Sequence, residues 1–237
     1  KQAVINRDDP LSNALLPDSV KRWQYGLDEG DINEFGLLEV EGEIYLGFNR
    51  QALMLADDVK VAGRHNLSNA LAALTIGLAS GLDMESMLQT LRQFSGLPHR
   101  CQWVSEIAGV NYYNDSKGTN IGACNAALLG LGEENNVILI AGGQSKGGEF
   151  LKLETALKAH GKLLIVFGED ADQIVLALGN FIKIYKVDSL QEAVKLASEQ
   201  AKAGDIVLLS PACASFDMFE NFNKRGEEFI EAVEALY

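Results

Sequence analysis

The chain of 237 residues is short of cysteine and histidine and has no long apolar run, and each shortage removes a class of function. Its three cysteines, Cys101, Cys124 and Cys213, are odd in number and form no C-x-x-C pair. That argues against a disulfide framework or a zinc site and for reduced, buried thiols. The three histidines, His65, His99 and His160, have no partners at metal-ligand spacing, so no metal site is expected. No stretch approaches the ~20 apolar residues of a membrane helix. No secretory leader pattern opens the chain, and the expectation is a cytoplasmic protein that does not insert into membrane. Basic residues are in the minority: 20 Lys and Arg against 33 Asp and Glu give a formal net charge of −13. A dominant nucleic-acid surface is thereby excluded, because a phosphate backbone demands a basic face. Anions can still bind where a few cations converge locally. Repeats and low-complexity tracts are also lacking. What remains is 47% hydrophobic and 22% charged, a globular composition long enough for one large domain or two ordinary ones.

The pattern along the chain divides in two. Gln2–Ile5 reads as a strand with no Met before it, and a chain that opens mid-strand is expected to be a piece of a longer protein. Residues 20–25 alternate like a half-buried strand, and 35–40 with 44–48 form a hairpin around Glu41-Gly42-Glu43. Gly63 to Asn69 leads into a buried helix over 70–80, with Asn66 and Asn69 as possible caps. A second helix over 84–94 carries an apolar stripe. Ser95-Gly96-Leu97-Pro98-His99-Arg100 stops that helix and marks a boundary, giving domains 1–96 and 97–237. Beyond it strands and helices alternate: strands at 102–107, 110–113, 137–141, 163–167, 182–187 and 206–209, with helices after Thr119, at 153–159, 171–178, 190–201 and 225–236. Ser189 and Glu192 form a capping box. Such alternation predicts βαβ units, an α/β fold with a mainly parallel, Rossmann-like sheet.

Ligands of such sheets gather at the carboxyl ends of the strands. The loops there are Asn114-Asp115-Ser116-Lys117-Gly118-Thr119-Asn120, Gly142 to Gly148 around Lys146, Gly168-Glu169-Asp170, and Ser210 to Phe216. Asp115 and Lys117 bring opposite charges, and Thr119 brings a hydroxyl that can cap a helix or touch a ligand. The same stretch also reads as a plain polar βα turn. Gly142–Gly148 is not a P-loop, because Lys146 follows Ser145 and precedes Gly147, and it is not a dinucleotide fingerprint either. It reads as a flexible loop that lets backbone and Lys146 approach a carboxylate or phosphate. The Ser210 loop has no placed His and acid for a hydrolase triad.

Together, Gly63-Arg64-His65-Asn66-Leu67-Ser68-Asn69-Ala70, Leu97-Pro98-His99-Arg100 and Asn114–Asn120 resemble the Mur ligases in order and spacing. Ser210-Pro211-Ala212-Cys213-Ala214-Ser215-Phe216-Asp217, with Phe219 to Phe222 and Arg225-Gly226, narrows the resemblance to the D-glutamate-adding branch. The resemblance implies the last part of a central ATPase domain over 1–96 and a carboxy-terminal, amino-acid-binding domain over 97–237. It implies ATP, UDP-N-acetylmuramoyl-L-alanine and D-glutamate as reactants, an acyl phosphate between them, Mg²⁺, and a monomer. Residue by residue, it places Asn69 at the adenine, Arg100 and Asp115 with His99 near the adenosine, and Asn66 close to the nucleotide. Lys117 would reach the phosphoryl group, and Lys117, Asn66 and His99 are the catalytic candidates. Thr119, Lys146, Ser215 and the backbone of Phe222 would receive D-glutamate. The family's P-loop, Mg²⁺ ligands and carbamylated lysine fall outside the matching segments, so the polypeptide is expected to be inactive alone. Another amide ligase of the superfamily, or a module that only binds a ligand, are the competing expectations.

Overall fold

The computed structural model describes residues 1–12, 16, 17, 19–61, 63–145 and 147–237. Their contacts separate into two compact units, Lys1–Ser95 and Gly96–Tyr237.

The first unit is a five-stranded sheet with two helices. Strands β1 (Gln2–Asn6), β2 (Lys21–Tyr25) and β3 (Glu34–Val40) run parallel, and β4 (Glu43–Phe48) and β5 (Gln51–Leu55) continue antiparallel in the order β1-β2-β3-β4-β5. The core gathers Phe35, Leu46 and Met54 from the sheet with Ala70, Leu71, Leu74 and Leu88 from helices α1 (Arg64–Ala79) and α2 (Met84–Gln93). Strand β5 has no counterpart in the sequence pattern. Its hairpin turns on Asn49 and Arg50 at φ 58° and 60°, the paired left-handed geometry of a type I′ turn, without the glycine that usually marks one.

Helix α1 begins at Arg64 rather than Ala70, which corrects the capping expectation for Asn66 and Asn69. Both lie inside the first turns, where the Asn69 amide donates to Asn66 Oδ1 at 3.1 Å. Gly63, at φ 103°, occupies the cap position and makes no side-chain cap bond. The early start has a packing cause. Leu67 joins Ala70, Leu71 and Leu74 on the face that meets the sheet, so the apolar stripe starts within the polar-looking segment.

The second unit holds β6 (Gln102–Ile107), β7 (Val110–Asn114), α3 (Ile121–Leu131), β8 (Val137–Gly142), α4 (Glu154–His160), β9 (Gly161–Phe167), α5 (Ala171–Leu178), β10 (Ile184–Lys186), α6 (Leu190–Gln200), β11 (Ile206–Leu209) and α7 (Phe222–Glu234). The sheet order is β10-β9-β8-β11-β7-β6, and every pairing is parallel except the β6–β7 hairpin at the edge. The expected mainly parallel α/β fold is therefore present. Alternate residues of β8 serve the two faces, as the period of two in a strand requires. Val137, Leu139 and Ala141 join a core with Cys124, Leu128, Leu157 and Ile174. Ile138 and Ile140 join the opposite core with Val194, Phe229 and Val233. All six residues of β8 are buried, so it reads as one apolar run.

The last strand, β11, inserts between β7 and β8. The loop that follows it is thereby laid between the loops after β7 and β8. Three carboxyl-end loops that lie far apart in the sequence meet at one edge.

Candidate functional site

The β11 loop is laced to both neighbours by backbone hydrogen bonds. Asp115 N donates to Leu209 O at 2.7 Å and Ala212 N to Gly118 O at 2.9 Å. On the other side Gly142 N donates to Pro211 O at 2.9 Å, and Gln144 and Ala214 exchange bonds of 3.0 and 2.9 Å. The lacing requires glycine where the backbones come closest. Gly142 and Gly143 sit at φ 136° and 122°, and a Cβ on Gly143 would lie 2.2 Å from Ala214 O.

Beneath the three loops lies Arg225, from the first turn of α7 and fully buried. Its Nε donates to Ser116 Oγ at 3.0 Å, and Nη2 donates to Ser116 O at 2.9 Å and Cys213 O at 3.2 Å. Nη1 reaches Ala214 O at 3.3 Å and Gly142 O at 3.5 Å. Among the described residues no carboxylate pairs with it. Burial pushes the guanidinium down to about 10, against the upward pull of Cys213, Asp217 and Asp115, so it stays charged at neutral pH. A guanidinium can serve this many carbonyls because its five N–H groups form a fixed planar fork. The result is a positive charge without an ion-pair partner, held directly behind the loops.

Asn114, at the end of β7, is fully buried and its amide orientation is fixed by its partners. The Ser116 N–H must meet its oxygen (3.1 Å) and the Gly226 carbonyl its nitrogen (2.9 Å). The same nitrogen lies 3.0 Å from His99 Nδ1, so His99 Nδ1 accepts and the ring proton resides on Nε2. Burial lowers the His99 pKa below its ordinary value, Glu227 opposing it, which agrees with a neutral ring. Gly226 is required here, since a Cβ would sit 2.2 Å from His99 Nδ1.

Asp115 is 7% exposed and its carboxylate is occupied internally. Oδ2 accepts from Ser210 Oγ at 2.7 Å and Oδ1 from Cys101 N at 3.2 Å. Burial raises its pKa to about 6, although the bonds from Ser210 and Cys101 and the charge of Arg100 oppose that rise. Arg100 itself is exposed. The thiols of Cys101, Cys124 and Cys213 are free, buried and pushed upward, the latter two to about 12, as expected for inert thiols.

Lys117 leaves the loop toward α7, and its ammonium stands 4.4 Å from the centroid of the Phe222 ring. Its backbone N–H donates to His99 O at 3.0 Å, and the rings of His99 and Phe222 stand nearly perpendicular with centroids 6.3 Å apart. Thr119 does not cap α3. Asn120 does, its side chain accepting from Ala123 N at 2.9 Å from an extended backbone. Thr119 is thereby freed to line a cavity of about 510 Å³ with Asn120, Ile121, Asn125, Glu149 and Lys152 among others. Ser215 is 2% exposed, and its carbonyl accepts from Met218 and Phe219. Phe222 O accepts from Ser116 Oγ at 2.7 Å. Lys146 lies outside the described residues. Asn66 and Asn69 belong to the first unit.

A family model described as "Mur ligase, glutamate ligase domain" matches residues 99–213, from the histidine under Asn114 to the cysteine over Arg225. UDP-N-acetylmuramoylalanine–D-glutamate ligase of Pseudomonas fluorescens (strain Pf-5) is 49% identical over 238 residues, covering 100% of this chain and 53% of that protein. The enzyme of the same name from Acinetobacter baylyi is 46% identical over 242 residues, covering 100% and 54%. Residues 99–213 belong to the Mur ligase family as its glutamate ligase domain. The chain spans about half the length of the curated relatives it matches. Among solved structures, a pseudomurein peptide ligase type C from Methanothermus fervidus superposes with a TM-score of 0.72 at 17% identity, covering 100% of this chain and 57% of that one. UDP-N-acetylmuramate-alanine ligase from Thermotoga maritima gives 0.66 at 18% identity, covering 99% and 52%. At those identities the likeness is one of fold.

Within this Mur ligase unit the structure assembles Asp115, Lys117, Thr119, His99, Ser215 and Phe222 along one sheet edge. Arg225, Ser116 and Asn114, which hold that edge together, are not among the site residues expected from the sequence. The signal for Arg225 was present as a shared Arg-Gly pair, but nothing in a run of Asn-Lys-Arg-Gly-Glu-Glu says that one of its charges is buried.

Proposed function

We propose that this chain is part of an ATP-dependent ligase that joins D-glutamate to UDP-N-acetylmuramoyl-L-alanine through an acyl phosphate, in the cytoplasmic stage of peptidoglycan synthesis. The observation that carries this reading is the identity of about half to D-glutamate ligases over the full chain. The chemistry of that edge supports it. D-glutamate has two carboxylates, and the edge offers hydroxyls, backbone N–H groups and a buried charge without an ion-pair partner. In this reading Thr119, Lys146, Ser215 and the backbone of Phe222 receive the amino acid. Lys117 faces the phosphoryl group that becomes the acyl phosphate. The neutral His99, with its Nε2 proton, and the exposed Arg100 suit an anionic nucleotide, and Asp115, its carboxylate held by Ser210 and Cys101, supports the loop beside them.

ATP supplies the phosphoryl group that activates the carboxylate, and Mg²⁺ offsets charge during that transfer. The chain's own residues bind and orient the incoming amine. Among the described residues no three His, Cys, Asp or Glu side chains converge as a metal site, and the Mg²⁺ ligands are assigned to the longer, monomeric protein. The 237-residue polypeptide by itself then binds without turnover. Calorimetry of this chain against D-glutamate, L-glutamate and the D-forms of other amino acids tests the reading. Selective D-glutamate binding that Thr119→Val weakens about tenfold supports it. Equal binding of the panel overturns it in favour of another amide ligase of the superfamily.

A further inference from the structure

The Lys117 ammonium rests over the Phe222 ring at 4.4 Å. Among the described residues it has no carboxylate at ion-pair distance, whereas Lys158, which also lies over an aromatic ring, pairs with Glu154 as well. Phe222 is itself fixed on several sides. It is the first residue of α7, whose start is capped by Asn221 Oδ1 accepting from Asn223 N at 2.9 Å and Lys224 N at 3.1 Å. Its carbonyl accepts from Ser116, the residue before Lys117, and Ser116 is held in turn by Arg225 Nε at 3.0 Å. Its ring stands nearly perpendicular to that of buried His99, whose carbonyl holds the Lys117 N–H. The backbone of Lys117 is thus tied to His99 and its side chain to Phe222, and the rings of those two residues meet.

A lysine stem has four flexible carbons, and without a partner its ammonium would sample many positions. A carboxylate partner would hold it but would also cancel its charge, and an arriving phosphate would have to break the pair. An aromatic face attracts the cation through its quadrupole and leaves the full charge in place. We propose that the Phe222 side chain is a positioning residue. Its ring keeps the Lys117 ammonium aimed without a carboxylate to neutralise it, and couples it to α7, whose first residue carries the backbone assigned to the amino acid. The inference rests on the assignment of Lys117 to the phosphoryl group.

The test uses the full-length enzyme with Phe222→Leu and Phe222→Tyr. Leucine keeps the α7 backbone and the Ser116–carbonyl bond but removes the π face. The expected result is a kcat about three- to tenfold lower in Phe222→Leu. The KM for D-glutamate should stay within about twofold, because the backbone contact persists. Phe222→Tyr should recover most of the rate. Combined with Lys117→Met, Phe222→Leu should add little further loss. An unchanged kcat, a rise in KM alone, or full additivity with Lys117→Met overturns the proposal. A second readout is independent of activity. With lysines carrying ¹³C-methyl labels, the Lys117 resonance of the 237-residue chain should be shifted upfield by the ring. It should return to the position of exposed lysines in Phe222→Leu and stay shifted in Phe222→Tyr. An unshifted wild-type signal overturns the proposal even if the enzyme ligates D-glutamate. A shifted signal in an enzyme that does not ligate D-glutamate strikes the assigned function instead.

Discussion

At the scale of single residues, two buried charges set the character of the edge, and each has a measurable consequence. Arg225 satisfies the carbonyls of Ser116, Cys213 and Ala214 together with Ser116 Oγ. Arg225→Met leaves the Ser116 and Cys213 carbonyls buried without that donor, while Ala214 O keeps its bond from Gln144 N, and is expected to lose about 3–5 kcal/mol in urea unfolding. Arg225→Lys, with fewer donors and no planar fork, should recover only part of that loss. Asp115 behaves oppositely with pH. Its ordinary value is 3.8 and burial raises it to about 6, so the folded state holds the proton more tightly than the unfolded chain. The stabilisation from that proton is complete below pH 3.8 and is lost as pH rises to about 6. The loss is of the order of 2–3 kcal/mol. Asp115→Asn should remove that part of the pH dependence, so the difference in unfolding free energy between mutant and wild type shifts in the mutant's favour from pH 4 to pH 7.5. A parallel pair of stability–pH curves would show that the carboxyl is not proton-linked to folding.

At the scale of elements, the cap of α3 decides where Thr119 points. Asn120→Ala removes the bond to Ala123 N and should destabilise by about 1 kcal/mol, with faster amide exchange confined to the first turn of α3. The elements also show what a sequence reveals. The strands β8, β9 and β11 are buried on both faces and therefore spell continuous apolar runs. Glycine and proline mark the segment between the two units. By contrast β5 was hidden by a type I′ turn built from Asn49 and Arg50. The start of α1 was hidden because Arg64, His65 and Asn66 carry no apolar signal until Leu67. The placement of Asn114–Asn120 at the carboxyl end of a parallel strand was legible from the alternation of strands and helices. Arg225 was not, because its burial depends on which strand inserts between β7 and β8, and local pattern does not encode strand order.

At the scale of the whole molecule, the second unit carries a core on each face of its sheet, and every contact of the Arg225 network lies inside it. Residues 96–237 expressed alone should therefore unfold in one cooperative transition, with circular dichroism and tryptophan fluorescence from Trp103 giving the same urea midpoint. Probes that disagree would show that the unit needs the rest of the chain. The net charge of −13 means that anions are drawn in by local charge only. The placement of Arg225 also bears on how the protein is made. Ser116 and its guanidinium partner are separated by 109 residues of sequence. During synthesis Arg225 follows every loop it bonds, so the guanidinium contacts to Ser116, Gly142, Cys213 and Ala214 can close only once all three loops have been made.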